Sequence, residues 1–271
     1  MNTRPRLAIA VFAVALIVAC QPASRDAQTS SEAEPSRDLK VVTSGGFAAA
    51  YEVLAPQFEA ATGITLVTSF GASSGGAPDS IPVRLERGEE FDVVILSRPS
   101  LDNLLERGLV RAPVKDLVRS SIGMAVREGA SVPDISTPEL FVKTLLDAES
   151  IAYSASASGT YLSTVLFPKL ELSGQLEPKS RRILSERVAS VVARGDVEIG
   201  FQQISEILPI EGVIYVGPIP LEYQRVTTFS IGITTAASNP DDAQLLVDFL
   251  SSADIAATIA ATGLEPLAVE H

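Results

Sequence analysis

The chain reads as an α/β protein of two lobes, each a mainly parallel sheet flanked by helices. Two observations predict this. Short apolar runs of strand length alternate with helix-length amphipathic runs over residues 39–107, a βαβαβα order that puts helices on both faces of a parallel sheet. A second series of the same kind starts near residue 121, and the last strand and helices follow it. Chain crossings near Val118–Val126 and Tyr223–Thr234 then divide the folded part into lobe I, residues 38–120 plus 226–271, and lobe II, residues 121–225.

Leu39–Thr43 is the first expected strand. Phe47–Ala61 is helical, because Tyr51, Leu54, Phe58 and Ala61 recur at spacings that share one face, and Gly63 stops it. Ile64–Thr68 is the next strand, Ser69–Gly76 a loop, and Ile81–Glu86 a short helix ended by Gly88. Phe91–Leu96 is a strand, with a helix around Leu101–Arg107. In the second series Ser121–Val126, Ile151–Tyr153, Val197–Phe201 and Val213–Val216 are strands. Pro138–Leu146, a segment from about Tyr161, and Val188–Arg194 are helices. Thr227–Thr234 is a long strand with Phe229, Ile231 and Ile233 on one side. Asn239 at the N-cap and Pro240 at the first helical position open the Asp241–Phe249 helix, and Ala253–Ala261 is the last.

The N-terminus carries an address. Arg4 and Arg6 precede Leu7–Val18, twelve apolar residues without a charge, and Ile17-Val18-Ala19-Cys20 follows. A basic head, an apolar stretch too short to span a membrane and small residues before a cut predict a secretory signal peptide over residues 1–19. Ile-Val-Ala-Cys resembles a bacterial lipobox, which implies that Cys20 is lipidated and begins the mature chain. Residues 20–37 read as that lipidated cysteine and a disordered spacer rich in Ser, Ala, Gln, Glu and Pro. The expectation is an exported protein, periplasmic or at the cell surface, held at the membrane by lipid alone.

Composition excludes several chemistries. Net charge is −12, and loss of Arg4 and Arg6 takes it to −14, which argues against nucleic acid and anionic membrane surfaces as partners. Cys20 is the only cysteine, so no internal disulfide can form. The one histidine, His271, is the last residue, which excludes Ser-His-Asp and Cys-His catalysis and histidine metal sites within the fold. With no P-loop and no G-x-G-x-x-G, neither a metal nor a cofactor is expected, and a monomer is.

Three strand-to-helix turns share one chemistry: Thr43-Ser44-Gly45-Gly46, Gly71-Ala72-Ser73-Ser74-Gly75-Gly76 and Ser154-Ala155-Ser156-Ala157-Ser158-Gly159-Thr160. Each offers free backbone N–H groups at a helix start, a glycine that lets a ligand approach, and hydroxyl donors. Any single one reads equally as an ordinary N-cap; three together predict a cleft for a small anion. The candidate ligand residues are Ser44, Gly45, Ser73, Ser74, Ser156, Ser158, Tyr161, Gln202 and Gln203. Arg84, Arg181 and Arg182 are the candidate carboxylate contacts, although the run Lys179, Arg181, Arg182 also fits a solvated face. Glu198 and Glu206 are the acids nearest the glutamine pair; either is a candidate base, but both read more simply as ordinary surface acids, which leaves the base unassigned.

Val41–Gly76 resembles the periplasmic molybdate-binding family of solute receptors, through the Ser44 turn, Phe58-Glu59-Ala60-Ala61-Thr62-Gly63 and Ser69-Phe70-Gly71-Ala72-Ser73. Arg87-Gly88-Glu89 before Phe91-Asp92-Val93-Val94, and Ala193–Gly200, fit the same pattern. The resemblance implies a type II periplasmic-binding-protein fold that closes on its ligand and docks on an ABC permease in the inner membrane. It carries ligand contacts onto Ser44, onto Ser73 or Ser74, and onto the Ser154–Ser158 turn. Gln203 stands where molybdate receptors tend to have tyrosine, which argues against molybdate itself. The chain is also similar to the branch of this superfamily that includes bacterial aconitate isomerase, through Ser44–Tyr51 and Gly200–Glu206. Two functions follow: a lipid-anchored receptor for an oxyanion or organic acid, serving an ABC importer, or an isomerase that moves a proton on a tricarboxylate.

Overall fold

The computed structural model describes residues 37–74 and 76–267; the expected signal peptide, Cys20, the expected spacer up to residue 36 and His271 lie outside them. Asp38–Ser44 (β1), Gly45–Thr62 (α1), Thr65–Gly71 (β2), Ile81–Glu86 (α2), Val93–Ser97 (β3), Arg98–Glu106 (α3) and Lys115–Ser120 (β4) form the first series. The second contains Ile122–Arg127 (β5), Pro138–Asp147 (α4), Ile151–Ser154 (β6), Ala157–Tyr161 (α5), Phe167–Lys169 (α6) and Ser173–Leu176 (α7). It continues through Ser180–Ile183 (β7), Val188–Ala193 (α8), Ile199–Gln203 (β8), Ile204–Ile207 (α9) and Val213–Pro218 (β9). Thr227–Ile233 (β10), Pro240–Leu250 (α10), Ala256–Ala260 (α11) and Glu265–Pro266 (β11) complete the chain.

The strands build two sheets, ordered β11-β4-β10-β3-β1-β2 and β7-β6-β8-β5-β9. Both are mixed rather than mainly parallel. β1 pairs in parallel with β2 and β3, as helical crossovers require, and β6 pairs in parallel with β7 and β8. The antiparallel halves come from the chain crossings. β4 leaves the first sheet, β10 returns to it beside β4, and strands that go out and come back side by side must run in opposite directions. β10 also pairs antiparallel with β3, and β5 with β8 and β9.

Three strands, β4, β7 and β11, carry no apolar run and are not predicted by apolar periodicity. β7 is the basic run Ser180-Arg181-Arg182-Ile183, recruited at a sheet edge where charged side chains face solvent. The expected α1 face is buried, with Phe47, Tyr51, Leu54 and Phe58 inside, and Gly63 ends the helix at φ 70 with its N–H on Glu59 O at 2.9 Å. The expected Asn239 cap is present, its side chain accepting from Asp242 N. Phe58 packs on Phe249 of α10 at 5.5 Å between ring centroids, tying the last helices to the first lobe. The second lobe is centred on Phe141, 5.9 Å from both Phe201 and Tyr223.

The carboxyl ends of β1, β2 and β3 place Ser44, Gly71 and Ser97 at one rim, and those of β6 and β8 place Ser154 and Gln203 at another. This is where α/β sheets bind ligands. Among the described residues no helix is long and apolar enough by itself to cross a membrane, and no cluster of His, Cys, Asp and Glu could hold a metal. Phe58→Ala removes a fully buried ring from the α1–α10 contact and is expected to cost about 3–5 kcal/mol, read from urea unfolding.

Candidate functional site

The site starts from the first turn of α1. Ser44 ends β1, is 1% exposed and, although it occupies the N-cap position, caps nothing: its Oγ has no hydrogen-bond partner among the described residues. Gly45 follows, and a Cβ placed there would lie 2.2 Å from Glu206 Oε1. Only a glycine lets that carboxylate approach the helix start. Gly46 is equally constrained, since a Cβ would meet the Phe229 ring at 2.1 Å, and its carbonyl accepts from Ser205 Oγ at 2.8 Å. The second lobe is thus sewn to the start of α1 through α9.

Glu206 is the third residue of α9, and Gln203 is its N-cap, the arrangement in which a glutamate reaches back to the N-cap backbone. Contrary to the surface-acid expectation, its side chain is buried in the cleft. Burial raises its pKa from 4.5 to about 7, against the lowering effects of the Arg187 charge, a hydrogen bond from Gln202 and backbone hydrogen bonding at Gln203. Glu198, by contrast, is a surface group accepting from Glu149 N.

Gln202 has one permitted orientation. Ala189 N–H, a donor only, points at its Oε1 at 3.4 Å, so its amide nitrogen faces Glu206 Oε1 at 3.0 Å. Oε1 therefore always accepts, and Oε2 is the oxygen left to carry a proton. Gln203 turns the other way and donates to Thr227 Oγ1 at 3.2 Å, leaving its own Oε1 unpartnered among the described residues. Both glutamines are buried, so they are not a surface turn.

Two cavities open in the cleft. One, of about 240 Å³, is lined by Gly45, Ser156, Gln202, Glu206 and Arg187, with Asp79 and Glu186 at its wall. The other, of about 490 Å³, is lined by Ser74, Ser97, Tyr161, Arg225 and Thr227, with Arg98 beside them. Ala72 faces the first and Ser74 the second, and Ser156 and Ala157 divide in the same way, so the same two turns wall both. We call them the Glu206 pocket and the Arg225 pocket.

Five of the nine candidate ligand residues line these pockets; Ser44, Ser73, Ser158 and Gln203 line neither. Gly45, Ser156 and Gln202 line the Glu206 pocket; Ser74 and Tyr161 line the Arg225 pocket. Ser73 and Ser158 are buried and spend their hydroxyls on the protein, Ser73 accepting from Ser97 N at 3.1 Å and Ser158 bonding Ser154 Oγ at 3.1 Å. Tyr161 donates to Tyr223 O at 2.9 Å. The candidate arginines line neither pocket: Arg84 holds Glu89 and Phe70 O, Arg181 reaches Asp196 O, and Arg182 reaches Ala155 O. Lys179 binds the carbonyls of Leu146 and Ala148. The cations lining the two pockets are Arg187, Arg225 and Arg98, each standing singly in sequence with no motif to mark it. Arg187 reaches across the lobes to Glu52 Oε1 only at 3.9 Å, a loose pairing.

These features define an α/β protein of two lobes with a polar cleft. The chain belongs to the bacterial extracellular solute-binding protein family, whose model matches residues 39–265, and membership implies an exported chain that meets a small solute. It is 42% identical, over 87% of its own length and 90% of the other's, to the aconitate isomerase of a Pseudomonas species. Its fold matches the periplasmic molybdate-binding protein of Azotobacter vinelandii (TM-score 0.64, 22% identity, 83% of this chain and 98% of that one). It also matches the sulfate-binding protein of Mycobacterium tuberculosis (TM-score 0.67, 16% identity, 85% and 87%).

Two outcomes test this geometry. The folded chain keeps a proton on Glu206 between pH 4.5 and about 7 that the unfolded chain releases. Stability should therefore fall as pH rises through that window, by on the order of 3 kcal/mol, and Glu206→Gln should flatten the slope of unfolding free energy against pH. Gly45→Ala should push the carboxylate toward the open pocket and lower its pKa, read by carbon NMR of the glutamate side chains; an unmoved titration would show that Gly45 does not confine it.

Proposed function

We propose that this protein interconverts trans- and cis-aconitate by a proton shift in the cleft between its lobes, with Glu206 as the base. The observation that carries this is the buried Glu206 carboxyl, raised to about 7 and held at the glycine turn of α1, in a pocket wide enough for a small acid. The 42% identity to an aconitate isomerase over nearly the whole of both chains supports the same substrate.

The chemistry asks for little more than a poised base. Aconitate has a methylene carbon next to a carbon–carbon double bond. A base removes one methylene proton, the electron pair spreads across the allylic carbons onto a carboxylate, and the proton returns at the other end of the allyl unit. The double bond moves by one position, nothing is gained or lost, and one group serves as base and then acid. A pKa near the working pH favours both steps. Gln202 keeps Glu206 Oε1 occupied, so Oε2 carries the proton across. The backbone N–H groups at the Gly45 turn of α1, which lines the pocket, are suited to the carboxylate on which charge builds up.

In this reading lobe I, residues 38–120 plus 226–271, and lobe II, residues 121–225, close over the substrate. Cys20 tethers the enzyme to a membrane outside the cytoplasm. The receptor alternative has one specific point in its favour: the neutral hydroxyl and backbone donors of the three turns also suit a bound anion that is handed to an ABC permease.

Purified protein incubated with trans-aconitate in D2O and followed by proton NMR decides between them. Appearance of cis-aconitate is expected; deuterium at its methylene carbon would report exchange of the Glu206 proton with solvent before it returns. Tight binding without conversion would favour the receptor. Glu206→Gln should lower kcat by at least about 10²-fold, while kcat/KM of the native chain rises with pH to a plateau above about 7, because only the ionised base accepts a proton.

A further inference from the structure

Charge is sorted between the two pockets. The wall of the Glu206 pocket carries Asp79, Glu186 and Glu206 with one cation, Arg187, and Glu186 is itself held by Arg194 at 2.9 and 3.1 Å. The Arg225 pocket has twice the volume, two arginines and no acid in its lining. In the smaller pocket Asp79 and Glu206 have no ion pair among the described residues and face one cation, so it is the poorer place for three carboxylates. The charge of such a ligand belongs in the larger one, with only the reacting carbons at Glu206.

The two arginines of that pocket are not equivalent. Arg98 is engaged by Asp102 and Asp116, both at 2.7 Å, so its charge is already neutralised. Arg225 forms no ion pair among the described residues; its guanidinium lies 6.0 Å from the Tyr161 ring centroid. That ring is fixed in turn by the Tyr161 hydroxyl on Tyr223 O. Hydroxyls of Ser74, Ser97, Thr160 and Thr227 surround the same space. A cation steered by an aromatic face, facing a ring of neutral donors, suits the planar fork of a carboxylate.

We infer that the Arg225 pocket is the carboxylate subsite of the cleft, in which Arg225 binds the non-reacting carboxylates of a tricarboxylate while its methylene carbon lies at Glu206. The inference rests on the isomerase reading for the placement of the reacting carbon. It assigns Arg225 to specificity: it selects a tricarboxylate over acids with fewer charges.

The test uses tricarballylate, the saturated tricarboxylate, which can bind but cannot isomerise. Titration calorimetry on the native chain, Arg225→Gln and Arg225→Lys is compared with steady-state kinetics on trans-aconitate. Arg225→Gln should weaken tricarballylate by about ten-fold or more, and Arg225→Lys should recover part of the loss. In kinetics KM should rise while kcat stays within about three-fold, because the reacting groups are untouched. Unchanged tricarballylate affinity in Arg225→Gln, or no binding to the native chain, would overturn the subsite. A native chain that binds tricarballylate through Arg225 yet leaves trans-aconitate unchanged would keep the subsite and remove the isomerase.

Discussion

The contact between Gly45 and the Glu206 carboxylate is the constraint on which the rest of the cleft depends. It joins the first turn of an 18-residue helix in one lobe to a four-residue helix in the other. Everything nearby serves that approach. Gly46 lets Phe229 close under the turn, Ser205 bonds the Gly46 carbonyl, and Gln202 orients the carboxylate from the side. The N-terminal dipole of α1 favours the ionised carboxylate and burial favours the neutral acid. A group caught between those pulls changes charge easily, which is what a proton carrier must do.

In the proposed reading, that balance is what separates an isomerase from a receptor on one scaffold. A receptor for an anion needs donors and no negative charge of its own. The three serine turns meet that need, and the structural likeness to molybdate- and sulfate-binding proteins shows how widely the scaffold is shared. A buried acid at the same helix start works against a purely anionic ligand, unless the ligand brings a carbon acid for it to deprotonate. Fold therefore says little here about turnover; one side chain says more.

Much of the architecture was legible in advance. Apolar periodicity located α1, β1, β3, β8 and β10 to within a few residues, and the Asn239–Pro240 cap opened α10 as expected. Polar strands were not legible, because β4, β7 and β11 owe their conformation to neighbours that supply the ladder and not to their own side chains. The same reason explains the mixed sheets: local pattern marks strands but is silent on the direction in which a distant strand returns. The serine turns were visible as motifs, yet Ser73 and Ser158 turned out to bond other protein groups.

By itself the sequence determined the class: two α/β series, no internal histidine chemistry, and glycine–serine turns at helix starts. These are properties of composition and short-range order, which need no partner to be read. Only the tertiary structure decided which charges matter. Glu206 looked like any surface acid, and Arg187 and Arg225 like any surface cations, because ionisation and availability depend on what packs around a group. Burial against Gly45 raised Glu206, while Asp102 and Asp116 neutralised Arg98 and no carboxylate among the described residues paired with Arg225. Those neighbours lie up to 161 residues away along the chain, beyond the reach of any local pattern (Gly45 to Glu206).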